Sequence, residues 1–155
     1  MTNPFRDFGT HPPLGYSFDV QIGFFPGNDC NFSEVTGISK SITFDTVYGG
    51  GDNSSQYHLP KTTSYEPLVL KRGIIPSFSL LYEWSNFTIN GGLLSMILPL
   101  PVFVKLLDET GDALVSWMFS NAYPTKLEVS EFKAAENVVV IESITLNYSS
   151  FDRII

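Results

Sequence analysis

The stretch Tyr65-Glu66-Pro67-Leu68-Val69-Leu70-Lys71-Arg72-Gly73 is an apolar run that stops abruptly in a basic pair and a glycine. Tyr65, Leu68 and Leu70 read as one strand, and Pro67, which cannot donate to a ladder, marks an edge position or a bulge. Gly73 and Pro76 end the run. A helical pattern follows at once. Ser77 can cap it, with Leu80 where the Glu of a full capping box would stand. Phe78, Leu81, Trp84 and Thr88 recur at helical spacing, and Leu80 and Phe87 widen that face, while Glu83 and Asn86 lie off it. Asn90-Gly91-Gly92 supplies backbone able to turn left-handed, so one helix is expected over about 77–89. Its aromatic stripe reads as core packing rather than a cofactor box. This strand and helix form the expected hinge of a one-domain β structure, a building block rather than an enzyme.

Upstream of the hinge the pattern is strand throughout. Met1 to Pro13 mixes Pro4, Gly9, Pro12 and Pro13 with polar residues and reads as an irregular arm. Tyr16, Phe18, Val20 and Ile22 alternate with Ser17, Asp19 and Gln21, the period of a half-buried strand. Pro26-Gly27-Asn28-Asp29 is turn chemistry. Phe32 to Val35 continues as a short strand that Gly37 breaks. Ser39 to Val47 alternates again, Gly49-Gly50-Gly51-Asp52-Asn53 forms a hairpin tip, and the return arm runs through Tyr57-His58-Leu59-Pro60. A triple glycine invites a phosphate-loop reading. It is rejected, because no Lys-Ser/Thr and no helix follow it.

Downstream, Leu93 to Pro101 reads as a loop or a short apolar patch and Val102 to Leu107 as a strand. Asp108-Glu109-Thr110-Gly111-Asp112 is an acidic hairpin turn that lacks the full calcium-loop spacing. Leu114 to Phe119 is the return strand, Asn121-Ala122-Tyr123-Pro124 reads as a turn, and Leu127 and Val129 open a further strand. Val138 to Tyr148 is the last long strand, with Val140, Glu142, Ile144, Leu146 and Tyr148 on one side. Its β-branched richness suits a central position. Phe151 to Ile155 ends the chain in apolar residues that look exposed. The expected class is therefore mainly β: an antiparallel barrel or sandwich with one packed helix and a long protruding hairpin.

At 155 residues the chain fits a single domain spanning 1–155, with 1–13 as its arm. A domain of this size buries roughly 68–70% of its unfolded surface. Charged residues make up only 16%, against the usual ~25%, which suggests surface hidden against other subunits. Net charge is −7, with 5 Lys+Arg against 7 Asp+Glu over residues 1–75 and 4 against 9 over 76–155. That disfavours a nucleic-acid duplex binder, which needs a basic patch. Cys30 is the one cysteine, so no intrachain disulfide and no multi-cysteine zinc site can form. The first residues have no apolar core and no basic start, so no signal peptide is read and synthesis in the cytosol is expected. The run from Leu93 to Leu107 is too short to span a bilayer and holds Pro99, Pro101 and Lys105, so no stable membrane insertion is expected.

The sequence offers no catalytic set. His11 lies in the arm and His58 beside Leu59-Pro60, neither near a nucleophile elbow, and nothing favours pairing Cys30 with either. Asp108/Glu109 and Glu128/Glu131 are neighbours only in sequence and read as solvated turns and strand faces. No catalytic residue, cofactor or metal is expected.

Several landmarks recur in order: Leu14-Gly15-Tyr16-Ser17-Phe18-Asp19-Val20, Phe32-Ser33-Glu34-Val35-Thr36-Gly37-Ile38, the glycine-rich loop, Leu59-Pro60-Lys61, and Leu68-Val69-Leu70-Lys71-Arg72-Gly73. A Trp-bearing helix follows, then Leu106-Leu107-Asp108-Glu109-Thr110-Gly111, Trp117 through Pro124, and Asn137 leading into Ile141-Glu142-Ser143-Ile144-Thr145-Leu146. Over about Leu14 to Tyr148 the chain resembles the tail tube proteins of contractile-tailed phages and of phage-tail-like contractile injection systems. The resemblance implies six copies in a ring, rings stacked into a hollow tube that passes cargo, and a sheath contracting around it. It implies partners among other tube, baseplate, spike and sheath proteins, and incorporation into a phage tail or injection particle. It also implies that the hairpin at about Ser39 to Pro60 reaches the adjacent ring, with Phe44, Val47, Tyr48, Gly49, Gly50, Gly51 and Tyr57 as expected contacts. One segment departs from the family, whose members carry a shorter, charged piece where this chain has Leu93 to Pro101. Leu94, Ile97 and Leu100 are accordingly expected to make an additional contact, as in a specialised initiator ring near the baseplate and spike. A main tube subunit with a better-packed loop is the plainer reading. A monomeric β-sandwich binding a carbohydrate, with Tyr48, Tyr57 and Tyr65 as stacking groups, is the alternative from another class.

Overall fold

A computed structural model describes residues 17–24, 28–51, 54–74, 78–92, 96–131, 135 and 139–155, without the side chains of 28–31. Alternating burial drives the main sheet, because each strand turns one row of apolar side chains inward. In β1 (Ser17–Ile22) Val20 and Ile22 are fully buried; in β7 (Leu100–Leu107) Val102 and Val104 are. The remaining sheet strands are β2 (Asn28–Phe32), β3 (Glu34–Thr36), β6 (Leu68–Gly73), β8 (Ala113–Val129), β9 (Ile141–Asn147) and β10 (Ser150–Arg153). They are ordered β2-β1-β7-β8-β9-β6-β3, with β10 added to β8, and every pairing is antiparallel. The two ends of this path, β2 and β3, are separated in the chain by Ser33 alone. The sheet must therefore curl until its ends meet. The Ser33 N–H closes it by donating to the Lys71 carbonyl of β6 at 3.0 Å.

The opening stretch is divided rather than continuous. Tyr65 ends β5 (Gln56–Tyr65), Glu66 and Pro67 lie outside both strands, and β6 starts at Leu68. Nor is β6 an edge strand, since it pairs with β3 on one side and β9 on the other. Pro67 is tolerated because it precedes the ladder instead of sitting in it. Leu68 and Leu70 are buried, and so is Arg72 on the same inward face. Arg72 Nε donates to Glu142 Oε2 at 2.9 Å and its Nη2 to Ser79 Oγ at 2.6 Å, while its guanidinium stacks on the Phe32 ring at 4.9 Å.

Ser79 is also the helix cap. Its Oγ accepts the Tyr82 N–H at 3.1 Å and α1 runs Leu80–Asn90, so the helix begins later than expected. Ser77, the expected cap, lies outside the described residues. Ser79 takes the role because extended backbone there frees its hydroxyl for the first turn. The helix packs on β8 and buries Leu81, Trp84 and Ser85. The Trp84 indole N–H donates to the Leu98 carbonyl at 3.3 Å. The expected aromatic stripe is only half core, because Phe78 and Phe87 face solvent.

The largest difference is β8. Asn121 to Pro124 was expected to turn, yet one strand of 17 residues passes through. Asn121 takes a left-handed φ of 52°, which a short amide side chain tolerates. The ladder then slips between Pro124 and Lys126, where a missing N–H does no harm. The strand bends there and changes partner, pairing with β7 up to Ala122 and with β9 from Tyr123. A straight 17-residue strand could not follow so curled a sheet. The central place expected for the final strand is found, with β9 between β8 and β6. β9 is shorter than expected, starting at Ile141. In the tail, Ile154 and Ile155 are exposed as expected, but Phe151 in β10 is buried.

Candidate functional site: the protruding hairpin and its base

Strands β4 (Lys40–Tyr48) and β5 form a separate two-stranded sheet. Every residue of β4, and every residue of β5 before Tyr65, is exposed. An isolated two-stranded ribbon is marginal in water, so one this long implies a covering surface. The register pairs Val47 with Tyr57 and Asp45 with Leu59, and cross-strand partners share a face. The bulge between Ile42 and Phe44 puts its extra residue in β5, so β4 keeps strict alternation and Ile42, opposite Thr63, leaves this aliphatic face for the opposite one. The Asp45–Lys61 ion pair at 2.9 Å sits among these apolar groups. The other face carries Phe44, Thr46 and Tyr48 opposite Pro60, His58 and Gln56. There Phe44 meets the His58 ring edge-on at 6.2 Å.

The face of Ile42 and Phe44 is continuous with the interior. At its base Lys40 pairs with Tyr65, and both rest on a cluster of rings. Tyr65 meets Tyr148 at 5.7 Å and Phe151 at 6.0 Å, and the Lys40 ammonium lies over Phe151 at 5.2 Å. Phe119, fully buried in β8, stacks on Phe151 at 5.4 Å and meets Tyr148 at 4.9 Å. The core face of the barrel thus runs out along Lys40, Ile42, Phe44 and Tyr48, and both faces of the hairpin are exposed among the described residues.

Two legs join the hairpin to the barrel, Gly37–Ser39 and Glu66–Pro67. Gly37 has φ +88°, and a Cβ there would run into the Pro67 carbonyl, so only glycine lets the legs approach. The Tyr148 hydroxyl lies 2.7 Å from the Glu66 carbonyl and 3.2 Å from that of Gly37, one oxygen from each leg. Burial pushes this phenol's pKa up, and the charge of Glu66 and the Tyr65 ring add to the effect.

Seven of the ten expected contact residues lie on this hairpin. Phe44 and Tyr48 are on its aromatic face, Val47 and Tyr57 on its aliphatic face, and Gly49, Gly50 and Gly51 at its tip. Of the others, Ile97 is exposed beside Met96 and Leu98, Leu100 opens β7 half-buried against the core, and Leu94 is outside the described residues. Sequence reasoning missed Leu59, Lys40 and the Tyr148 bridge. Strict alternation could have found Leu59, whereas the bridge joins residues 111 and 82 positions apart and has no local signal.

The residues weighed for chemistry are elsewhere occupied or not brought together. Asp108 Oδ1 accepts from the Thr110 hydroxyl and from the backbone N–H groups of Thr110 and Asp112. The Thr110 hydroxyl first, then the Asp112 N–H, holds that carboxyl below the usual range. His58 is on the hairpin, while His11 and the Cys30 side chain lie outside the described residues. Among the described residues no cluster of three or more metal-binding side chains occurs.

The family model described as T4-like virus tail tube protein gp19 matches residues 15–152. No curated protein matches the sequence. Among solved structures, a chain of the anti-feeding prophage baseplate, 6-fold symmetrised, superposes with a TM-score of 0.74 at 19% identity, covering 94% of this chain and 97% of its own. A chain of the sheath/tube terminator of the extracellular contractile injection system PVC, in the extended state, gives 0.72 at 25% identity, covering 94% and 99%. The anti-feeding prophage cap, which terminates the tube, gives 0.69 at 27% identity, covering 99% and 98%.

Proposed function

Because this chain belongs to the T4-like virus tail tube protein family, we propose that six copies close into a ring and that such rings stack into the hollow inner tube of a contractile injection particle. The observation that carries this reading is the bare hairpin, which is exposed on both faces and whose Ile42/Phe44 face continues the core and requires cover. A ring of six is supported by the six-fold symmetry of the baseplate that holds a similar chain. Cover from a neighbouring ring fits the hairpin's length and its glycine tip. The role is structural rather than catalytic, and the lumen passes cargo. Baseplate, spike and sheath proteins are the expected partners.

The exposed Met96, Ile97 and Leu98 support one further contact, to a baseplate component, as in an initiator ring. The test is the native mass of the purified protein by light scattering over a concentration series, with micrographs of the same sample. Six-subunit rings or hollow stacks are expected, directly or once baseplate components are added. A monomer that stays monomeric with those components contradicts the reading and favours the carbohydrate-binding sandwich. In the same assay Ile97→Ser with Leu98→Ser should keep rings but lose baseplate attachment, and unchanged attachment removes the initiator role.

A further inference from the structure

We propose that Tyr148 is a positioning residue whose hydroxyl, by bridging the two legs of the β4–β5 hairpin, sets the direction in which the hairpin leaves the barrel. The proposal rests on the tube reading for its consequence, since a hairpin must be aimed before it can reach a neighbour.

Among the described residues, the hairpin above its base pairs with no strand of the barrel. Its direction is therefore fixed where the legs emerge. Three contacts act there. Gly37 packs against Pro67, the Glu66 N–H donates to the Ser39 carbonyl at 3.4 Å, and the Tyr148 hydroxyl reaches the carbonyls of Glu66 and Gly37. The first two join one leg to the other. Of the three, the third joins both legs to the barrel wall, because Tyr148 directly follows β9, the strand beside β6, while Lys40 and Tyr65 rest on Phe151 where the hairpin strands begin.

The ring holds the hydroxyl in place. Tyr148 is wedged edge-on among Tyr65, Phe119 and Phe151, which restrict its rotation. Beside it lies an open cleft of about 360 Å³ lined by Tyr65, Glu66, Pro67, Tyr123, Asn147 and Tyr148. The cleft leaves the legs room to swing if the bridge is cut. A hairpin held in its assembled direction loses less conformational freedom on binding a neighbour, which is how preorganisation raises affinity.

The test is Tyr148→Phe, which keeps the ring and removes the hydroxyl, with Tyr123→Phe as the control from the same cleft. Backbone hydrogen exchange is read by mass spectrometry on unassembled protein, and assembly is followed by light scattering. In Tyr148→Phe, amides of residues 38–41 and 64–66 should exchange about tenfold faster, while those of β6 and β9 stay unchanged. Tubes should then require about tenfold more protein to form. Tyr123→Phe should match the unaltered chain in both. Unchanged exchange at the legs overturns the bridge. Equal acceleration in β6 and β9 makes Tyr148 a core residue only. Faster legs with unchanged assembly overturns its positioning role. If the unaltered protein never assembles, the tube reading fails, and leg exchange still decides the bridge.

Discussion

The triple variant Ile42→Thr, Val47→Thr and Leu59→Thr should abolish tube formation while leaving the isolated chain folded. Ile42 lies on one face of the hairpin, Val47 and Leu59 on the other, and the three are 44%, 45% and 54% exposed. Threonine keeps a β-branched shape, so the strands themselves are not weakened. Surface changes of this kind usually move stability by no more than about 0.5 kcal/mol each. The melting temperature of unassembled protein is therefore the control. On the proposed packing the same residues are covered by a neighbour in the tube. Full burial of such a side chain is worth roughly 1.5–3 kcal/mol, and each begins about half-buried, so about 1 kcal/mol apiece is lost. Together that is about 3 kcal/mol per contact, on the order of a 100-fold rise in the protein concentration needed. Repetition around a ring multiplies the loss. Sedimentation of tubes against protein concentration measures it. Normal assembly would show that the hairpin is not an interface.

Glu142→Ala should unfold much of the protein. Arg72 is 2% exposed and its Nε bonds Glu142, so the variant removes the Nε acceptor from a guanidinium that stays buried. Removing one partner of a buried pair typically costs about 3–5 kcal/mol. That is a large part of the roughly 5–15 kcal/mol that holds a domain together. The same guanidinium donates to the Ser79 cap, so the start of α1 should loosen with it. The pair itself is not expected to be strongly stabilising, because taking both charges from water offsets their attraction. Arg72→Met with Glu142→Leu should therefore recover most of the loss. Urea midpoints of the three proteins decide this. A stable Glu142→Ala chain contradicts the assignment, and an unrecovered double variant means the pair specifies the fold.

Much of the architecture was legible because it is written in short-range alternation. Val20 with Ile22 and Ile144 with Leu146 declare an inward face within a few residues, and the bare hairpin shows as alternation with a glycine tip. The errors share a cause. Asn121 and Pro124 carry turn chemistry, but a bulge uses the same residues, and only the curl of the sheet selects between them. Ser77 and Ser79 are equal as caps until Arg72 reaches Ser79 from β6. Tyr65 looked continuous with Leu68 because the break lies in backbone direction, not in polarity. The site was half legible. Phe44, Val47, Tyr48 and Tyr57 stand out as apolar residues near a glycine-rich tip, whereas the Tyr148 bridge exists only once β9 lies beside β6.

The chain is a tail tube protein by family and by fold. The most direct test of how it works is an electron cryomicroscopy reconstruction of the assembled particle, with this chain traced in its density. Six copies per ring are expected, with Ile42, Val47, Tyr57 and Leu59 of each copy buried against an adjacent ring. A ring in which the β4–β5 hairpin points into solvent, or density for this chain only outside the tube wall, would contradict it.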